Sequence, residues 1–305
     1  MGKTPLVFIP GLFGSMSDKI VAGTGNWSFG LAGAFYEPFV QQLEWMGYER
    51  NRTLFIAYYD WRQPIPYAAY VYLAKTIREA KRQTGASKVN VLGHSMGGLV
   101  ARAYVQSGYY DEDVEQLILL GTPNAGSAAI FSYWTGQQLT HEQSPPQATA
   151  NAISFYMEWY LNYLERKYPL NRVEAIHRYF PSLIDLVPSQ DYGDYLIVNE
   201  SDEMRFVPYK SMQVKNHFLD ELNSYQVVVK NRQVEATVIA GIGHTTPQYL
   251  KEEGSRLWRT INSEAGDGNV MVSSVFAFGD DQYLVEGGHM EALFSSYPLL
   301  RRKLT

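Results

Sequence analysis

A serine flanked by glycines is the residue of this chain best suited to nucleophilic chemistry. The stretch Gly93-His-Ser-Met-Gly97 follows the G-x-S-x-G pattern, with Ser95 at its centre. In a nucleophile elbow, such a serine stands on a sharp turn between a strand and a helix, with its hydroxyl held clear of the sheet. Ser95 is therefore a candidate for attack on an acyl carbonyl through a covalent intermediate.

The residues on either side of the motif have the order that an elbow requires. The apolar run at 89–92 predicts a buried strand, and the apolar residues after the motif recur at helical spacing. Gly93 and Gly97 have no Cβ, so we expect the strand and the helix to approach closely around Ser95. The short pattern also occurs by chance in other chains, but this context favours the elbow.

Six histidines are candidates for the general base. Four of them are set aside because of their positions. His94 lies inside the elbow, His141 and His177 lie in a predicted insertion, and His217 lies on a polar helix. His244 follows a strand end and is the serious rival. We favour His289, which follows two glycines in the last loop, where the hydrolase order Ser…Asp…His places the base. The alternative is a loop histidine without a catalytic role.

The acid that orients the base is expected at a strand end between Ser95 and His289. Asp267 lies between two glycines in a predicted tight turn, from which its carboxylate can reach the imidazole. Asp280 and Asp281 are nearer to His289 in sequence but have the character of a solvated hairpin turn. The order of the three residues favours Asp267.

Two backbone N–H groups are predicted to stabilise the oxyanion. The N–H of Met96 lies at the start of the elbow helix, where helix termini favour negative charge. The second donor is expected in the loop after the first strand, in Pro10-Gly-Leu-Phe-Gly14. Leu12 is the favoured donor, and Phe13 is the alternative.

The chain has 305 residues, which suits one large α/β domain with an insertion. Predicted strands and helices alternate over most of it, which indicates a mostly parallel sheet flanked by helices. We predict a core made of residues 1–126 and 217–305.

Residues 127–216 interrupt this alternation and are predicted to form a helical cap, or lid. A helix predicted over 150–164 has a broad apolar face, which we interpret as the inner wall of an apolar pocket. Part of that face is expected to be ordinary core. Four aromatic residues are predicted to contact the substrate: Phe13, Trp61, Tyr156 and Tyr160.

Composition excludes several other classes of function. The net charge is −5 and the charges are scattered, so no nucleic-acid surface is indicated. The absence of cysteine excludes disulfides and thiolate metal sites, and we expect neither a metal nor a cofactor. Residues 1–10 do not resemble a signal peptide, which predicts a cytoplasmic protein or a trimmed secreted form. No apolar run is long enough to span a bilayer.

With these residues placed, the chain resembles the lecithin:cholesterol acyltransferase-like family of lipases, which includes the lysosomal phospholipase. The matching pieces extend from near residue 10 to near residue 290, and Tyr59-Asp-Trp-Arg62 and Phe180-Pro-Ser-Leu183 are the most specific of them. The others are Pro10-Gly-Leu-Phe-Gly-Ser15, Gly93-His-Ser-Met-Gly-Gly98, Gly121-Thr-Pro123, Leu186-Val-Pro-Ser189, Gly266-Asp-Gly-Asn-Val270 and Gly287-Gly-His-Met290.

The resemblance implies an α/β-hydrolase fold, a Ser/Asp/His triad, an acyl ester or lipid substrate, and a cap that makes transient contact with a lipid surface. The family often has threonine where Asn269 stands, and its secreted animal members have disulfides that this chain lacks. We predict a lipase or carboxylesterase, with a phospholipase or lipid O-acyltransferase as the alternative. A catalytically silent hydrolase fold that binds lipid or a partner is the rival from a different class.

Overall fold

The computed structural model describes residues 3–18, 25–137, 147–200, 203–254 and 257–304. One predicted site candidate, His141, lies outside these ranges. Within them the strands are β1 (Leu6–Ile9), β2 (Met16–Ser17), β3 (Trp27–Ser28), β4 (Leu54–Ile56), β5 (Val89–His94), β6 (Val114–Leu120), β7 (Leu196–Glu200), β8 (Glu203–Val207), β9 (Glu235–Ile242), β10 (Thr246–Glu252), β11 (Trp258–Ser263) and β12 (Asp281–Glu286).

Helices lie on both faces of the central sheet and over its carboxyl edge. They are α1 (Gly33–Trp45), α2 (Ile65–Ala68), α3 (Ala74–Thr84), α4 (Met96–Val105), α5 (Ala128–Trp134), α6 (Gln147–Lys167), α7 (Arg172–Tyr179), α8 (His217–Ser224), α9 (Val227–Asn231), α10 (Val272–Val275), α11 (Glu291–Ser295) and α12 (Tyr297–Leu304). Short 3₁₀ helices span Gly30–Ala32, Pro181–Leu186, Gln190–Tyr192 and Tyr209–Ser211, and a π-helical turn spans Ala69–Leu73. No helix in the described part of the chain combines the length and apolar character needed to cross a bilayer.

The central sheet has six strands in the order β12-β9-β6-β5-β1-β4, and every pair in it is parallel. This confirms the predicted parallel sheet flanked by helices. The strand that leads to Ser95, β5, lies between β1 and β6 and is buried along its whole length. Because parallel strands all point the same way, the loops that follow them meet at one edge of the sheet.

The two faces of the sheet contribute to two hydrophobic clusters. Successive side chains on a strand point to opposite faces, so Leu6 and Phe8 pack with α1, α11 and α12, whereas Val7 and Ile9 pack with α3 and α4. Both faces are therefore covered, as expected for strands that are apolar at nearly every position.

Helix boundaries differ from the predicted ones by a few residues. The helix predicted over 150–164 is longer in the structure, at Gln147–Lys167. The helix α2, the π-helical turn and the helix α3 form one continuous helical run. Gly85 ends it with φ of 71°, and its N–H donates to the carbonyl of Lys81 at 2.9 Å.

A second sheet, which the sequence analysis did not predict, lies outside the central one. Its strands have the order β11-β10-β7-β8, in which β10 and β7 are parallel and the other pairs are antiparallel. The sheet joins residues 196–207, from the predicted cap, to residues 246–263, from the predicted core. The segment predicted to form a helical cap therefore contains strands as well as helices.

Candidate active site

Ser95 occupies a strained turn between β5 and α4. Its φ is 55° and its ψ is −129°, a region that residues with a Cβ rarely adopt. Its N–H donates to the carbonyl of Leu120 at 2.9 Å, and its carbonyl accepts the N–H of Gly98 at 3.0 Å. The neighbouring strand and the first turn of the helix thus hold the half-buried Ser95 in this conformation.

The glycines around Ser95 permit close backbone contacts. A Cβ on Gly93 would lie 2.5 Å from the Cα of Gly98, and a Cβ on Gly97 would lie 2.4 Å from the carbonyl oxygen of Ile9. Both distances are too short for a real side chain. The predicted close approach of strand and helix is therefore confirmed.

Asp267 and His289 form a buried hydrogen-bonded pair. The Nδ1 of His289 lies 2.7 Å from the Oδ2 of Asp267, and the His289 N–H donates to the Asp267 carbonyl, also at 2.7 Å. The other carboxylate oxygen, Oδ1, accepts the N–H groups of Asn269 (3.0 Å) and Val270 (2.8 Å). Since the bond to Asp267 places a proton on Nδ1, the lone pair of the neutral ring lies on Nε2. The contact from Asn269 uses only its backbone, so threonine at this position is compatible with it.

Gly121 connects this pair to the elbow. It follows β6, and it directly follows Leu120, whose carbonyl binds the N–H of Ser95. Gly121 has φ of 58°, and a Cβ there would lie 3.2 Å from Cε1 of His289 and 3.4 Å from Oδ2 of Asp267. Ser95, Asp267 and His289 are thus brought together at the carboxyl edge of the sheet. The Gly-Thr-Pro piece was the sequence signal for Gly121, but its role depends on a contact that sequence does not reveal.

One of the rival acids, Asp281, and the rival base, His244, have other partners. Asp281 begins β12, so it lies at the opposite edge of the sheet, where its Oδ2 accepts hydrogen bonds from Lys303 and Thr237, both at 2.7 Å. His244 lies 3.4 Å from Glu291, whose carboxylate accepts the N–H of Gly288 at 3.0 Å. These positions favour Asp267 and His289 over the rivals.

A threonine that the sequence analysis missed supports the turn at Asp267. The Oγ1 of Thr246 accepts the N–H of Gly268 at 2.7 Å and donates to the carbonyl of His244, also at 2.7 Å. It lies 21 residues before Asp267 on another strand, so no local pattern identifies it. In the described ranges, no group of three or more histidine and carboxylate side chains is arranged to hold a metal ion.

The loop after β1 forms a tight turn against Ser95. The N–H of Gly14 donates to the carbonyl of Gly11 at 2.9 Å, and Phe13 has φ of 61°. A Cβ on Gly11 would lie 2.8 Å from the Cβ of Ser95. Within the described residues, neither the N–H of Leu12 nor that of Met96 has a hydrogen-bond acceptor. Both predicted oxyanion donors are therefore available to a ligand.

The four aromatic residues predicted to bind substrate form one column together with Phe180. Phe13 packs edge to face on Trp61 (4.7 Å between ring centroids), and Trp61 stacks on Phe180 (5.6 Å, 3° between planes). Phe180 then contacts Tyr160 at 5.7 Å, and Tyr160 stacks on Tyr156 at 6.1 Å. Trp61, Phe180 and Tyr160 are buried, and Tyr156 is only half-buried. The column thus packs residues of the predicted cap against residues of the predicted core, and Tyr156 is its most accessible ring.

Two hydrogen bonds donated by backbone N–H groups strengthen the same junction. The N–H of Ser182 donates to the carbonyl of Arg62 at 3.2 Å, and the N–H of Ile65 donates to Oδ2 of Asp185 at 2.8 Å. Arg62 is itself held by a buried ion pair with Asp60 at 2.7 Å. The two most specific sequence pieces, Tyr59-Asp-Trp-Arg62 and Phe180-Pro-Ser-Leu183, are therefore in direct contact.

Asp185 makes this junction sensitive to pH. Burial raises the pKa of its carboxyl from 3.8 to about 6, against the opposing effect of the Ile65 N–H. The stability that comes from burying the protonated form is complete below pH 3.8 and is lost as the pH rises through 6. We expect Asp185→Asn, which keeps an acceptor oxygen for Ile65, to raise the free energy of unfolding at pH 8 by about 1–3 kcal/mol.

Urea unfolding of Asp185→Asn at pH 4 and pH 8 checks this prediction. At pH 4 the gain should be small, since the wild-type carboxyl is largely protonated in the folded state. Asp281→Asn is the control: hydrogen bonds from Lys303 and Thr237 outweigh burial and lower the pKa of Asp281, so its substitution should not stabilise the protein at pH 8. Equal gains for Asp185→Asn at both pH values would contradict the assignment.

The parallel sheet and the turn between β5 and α4 are those of the α/β-hydrolase fold. A structural comparison agrees: the chain superposes on the mature lipase BlEst2 of Bacillus licheniformis with a TM-score of 0.52 and 15% sequence identity, covering 99% of this chain and 92% of that one. At this level of identity the comparison establishes the fold.

Sequence comparisons match part of the chain to a known family. The family model for lecithin:cholesterol acyltransferase matches residues 29–140, which confirms the resemblance predicted from the motifs. Lecithin-cholesterol acyltransferase-like 4 of Arabidopsis thaliana is 28% identical over 142 residues (46% of this chain), and phospholipase A(1) LCAT3 of the same plant is 30% identical over 108 residues (34% of this chain). Each match spans 24% of the length of the relative.

Proposed function

We propose that this protein is a serine hydrolase that cleaves carboxylic esters of apolar acyl chains through an acyl-enzyme on Ser95. The observation that carries the proposal is the 2.7 Å hydrogen bond between His289 and Asp267. This pair packs against Gly121, which lies next to the strained turn at Ser95. Similarity to relatives named as an acyltransferase and a phospholipase supports ester chemistry on lipids.

In the first step, the Oγ of Ser95 attacks the ester carbonyl while its proton passes to the Nε2 of His289. Asp267 stabilises the resulting imidazolium and keeps the Nδ1 proton in place. The N–H groups of Leu12 and Met96 bind the oxyanion of the tetrahedral intermediate. The bond to the leaving alcohol then breaks, the proton moves from His289 to the alcohol oxygen, and an acyl ester remains on Ser95.

Water completes the cycle in a hydrolase. His289 takes a proton from the water as it attacks the acyl-enzyme, and returns it to Ser95 as the carboxylic acid leaves. A lipid alcohol in place of water would give acyl transfer with the same residues, an alternative that the acyltransferase family match favours. Product analysis with and without an added long-chain alcohol separates the two reactions.

The cap segment, residues 127–216, is proposed to bind the acyl chain above the core formed by residues 1–126 and 217–305. Each methylene buried there is worth about 0.8 kcal/mol, or about fourfold in affinity. We therefore expect kcat/KM to rise from acetyl to medium or long acyl esters, as measured with 4-nitrophenyl esters of increasing chain length. A folded enzyme that prefers acetyl esters and does not hydrolyse dispersed lipid would be an esterase of another specificity, and the proposed acyl-chain site in the cap segment would be wrong.

One face of the cap helix α6 is proposed to contact the lipid surface. Phe155, Trp159 and Tyr163 follow one another at a spacing of four residues, which places them on one side of the helix. Their exposures are 74%, 49% and 37%, whereas Tyr160 on the neighbouring side of the helix is 7% exposed. Aromatic side chains of this kind suit the boundary between water and lipid.

We expect the double substitution Phe155→Ser and Trp159→Ser to lower hydrolysis of phospholipid vesicles by about 10-fold, because two partly inserted rings are lost. Hydrolysis of a soluble short ester should stay within about twofold, since neither side chain contacts the proposed catalytic residues. Trp45→Ser is a matched control, because Trp45 is 67% exposed on α1, and α1 and α6 pack in the clusters on opposite faces of the central sheet. Equal losses on both substrates would argue against a lipid-facing role.

A further inference from the structure

A buried hydrogen-bonded path runs beneath Ser95 from one catalytic loop to another. At one end, the hydroxyl of Tyr36 accepts the N–H of Gly11, the residue before Leu12, at 2.9 Å. The same hydroxyl lies 2.8 Å from Nδ1 of His94, and Nε2 of His94 lies 3.1 Å from the carbonyl oxygen of His289. The path thus links the loop that contains Leu12, the oxyanion loop, to the loop that contains His289, the base loop. It passes through His94, the residue before Ser95.

The proton positions along this path are fixed by its two ends. The N–H of Gly11 can only donate and the carbonyl of His289 can only accept. The hydroxyl of Tyr36 therefore donates its own hydrogen to Nδ1 of His94, and the ring hydrogen of His94 lies on Nε2. Burial, together with the nearby His289, holds the pKa of His94 well below its usual range, so the ring is neutral.

Both side chains are rigidly packed. Tyr36 is 2% exposed and His94 is 1% exposed. The ring of Tyr36 stacks on Phe29 at 5.2 Å, and the ring of His94 lies 4.8 Å from that of His289. A Cβ on Gly11 would lie within 3.3 Å of Ser95, the Tyr36 hydroxyl and the His94 ring together. The path therefore has little freedom to stretch.

We propose that Tyr36 and His94 are a pair of positioning residues that set the oxyanion loop and the base loop at a fixed separation around Ser95. This proposal rests on the proposed function. Neither side chain reacts with the substrate. Their contribution is to hold the Leu12 N–H and the imidazole of His289 in place when charge develops between them, where small displacements lower the rate strongly.

Tyr36→Phe tests the proposal by removing only the hydroxyl. With a 4-nitrophenyl ester, we expect kcat to fall by about 10- to 100-fold and KM to stay within about twofold, because positioning acts on the chemical step. The matched control is Tyr104→Phe, which removes a buried hydroxyl that donates to Asp113 at 2.8 Å, at the other end of α4. The control should keep the wild-type kcat.

His94→Gln breaks the same link from its other side. The glutamine amide nitrogen can still donate to the His289 carbonyl, but it places no acceptor at the position of Nδ1. We expect a similar loss of kcat, and the double variant Tyr36→Phe with His94→Gln should be hardly slower than either single variant, because both remove one shared bond. The single variant His94→Gln also tests the proposal if Tyr36→Phe does not fold. Wild-type kcat in either folded single variant, or additive losses in the double variant, would overturn the proposal.

Nitrogen-15 spectra of the histidines decide the question without relying on catalysis. We expect His94 to show the neutral tautomer with hydrogen on Nε2, and we expect Tyr36→Phe to shift the imidazole resonances of both His94 and His289. If the His289 resonances do not move, the positioning proposal is wrong even in an active enzyme. If the wild-type protein cleaves no ester and its Ser95 does not react with a fluorophosphonate, the proposed function fails, and the spectra still test the positioning.

Discussion

Ser95→Ala is expected to leave the fold intact and to lower kcat by about 10⁴- to 10⁶-fold, since members of a triad act as a unit. The hydroxyl is the atom that forms the acyl-enzyme, and removing it leaves only binding and oxyanion stabilisation. Alanine at this position retains the strained φ of 55° and the backbone bonds to Leu120 and Gly98. Steady-state hydrolysis of a 4-nitrophenyl ester, with a melting curve beside it, measures the effect.

The double variant Ser95→Ala with His289→Ala provides the control for this prediction. If the two residues act in one step, the double variant should be hardly slower than either single variant. Losses that multiply would mean that Ser95 and His289 contribute independently, and the proposed proton transfer between them would be wrong.

Asp267→Asn is expected to lower kcat by about 10⁴-fold, because the imidazole would rest in the wrong tautomer. The structure gives the reason. The N–H groups of Asn269 and Val270 donate to Oδ1, so the asparagine carbonyl oxygen must take that position. Its NH₂ group then faces Nδ1 of His289 and donates to it, which moves the ring proton to Nε2. A ring protonated there cannot accept the proton of Ser95.

The competing carboxylates supply controls for Asp267. Asp280→Asn and Asp281→Asn should leave kcat near the wild-type value, because Asp281 lies at the opposite edge of the sheet and is bound to Lys303. Substrate binding, followed as KM, should change little in all three variants. A large loss of kcat in either control with little loss in Asp267→Asn would show that the acid has been misassigned.

The parts of the site that follow from local pattern could be predicted from the sequence. The elbow depends on glycines within three residues of Ser95, and the parallel sheet depends on apolar runs that alternate with helical patterns. The order Ser…Asp…His, together with Asp267 between two glycines, was enough to favour this residue over the closer Asp281. Parallel strand direction supplies the physical reason, since the start of β12 cannot face the end of β5.

The parts that depend on contacts between distant residues could not be predicted. Tyr36 resembles any other apolar position of α1 in the sequence, and its role arises from His94, which is 58 residues away. The second sheet was missed because β7 and β10 are about fifty residues apart and pair through only a few residues. The apolar face of α6 was interpreted as a pocket wall, yet Tyr160 is buried against Phe180, and the exposed rings lie on the neighbouring side of the helix.

Labelling with a fluorophosphonate probe is the most direct test of Ser95 as the nucleophile, because the probe reacts with an activated serine to give a stable analogue of the acyl-enzyme. We expect the wild-type protein to take up one probe per chain and mass spectrometry of its peptides to place the probe on Ser95. Asp267→Asn and His289→Ala should react far more slowly, and Ser95→Ala should not react. A folded wild-type protein that takes up no probe, or that carries it on another residue, would contradict the assignment of Ser95 as the nucleophile.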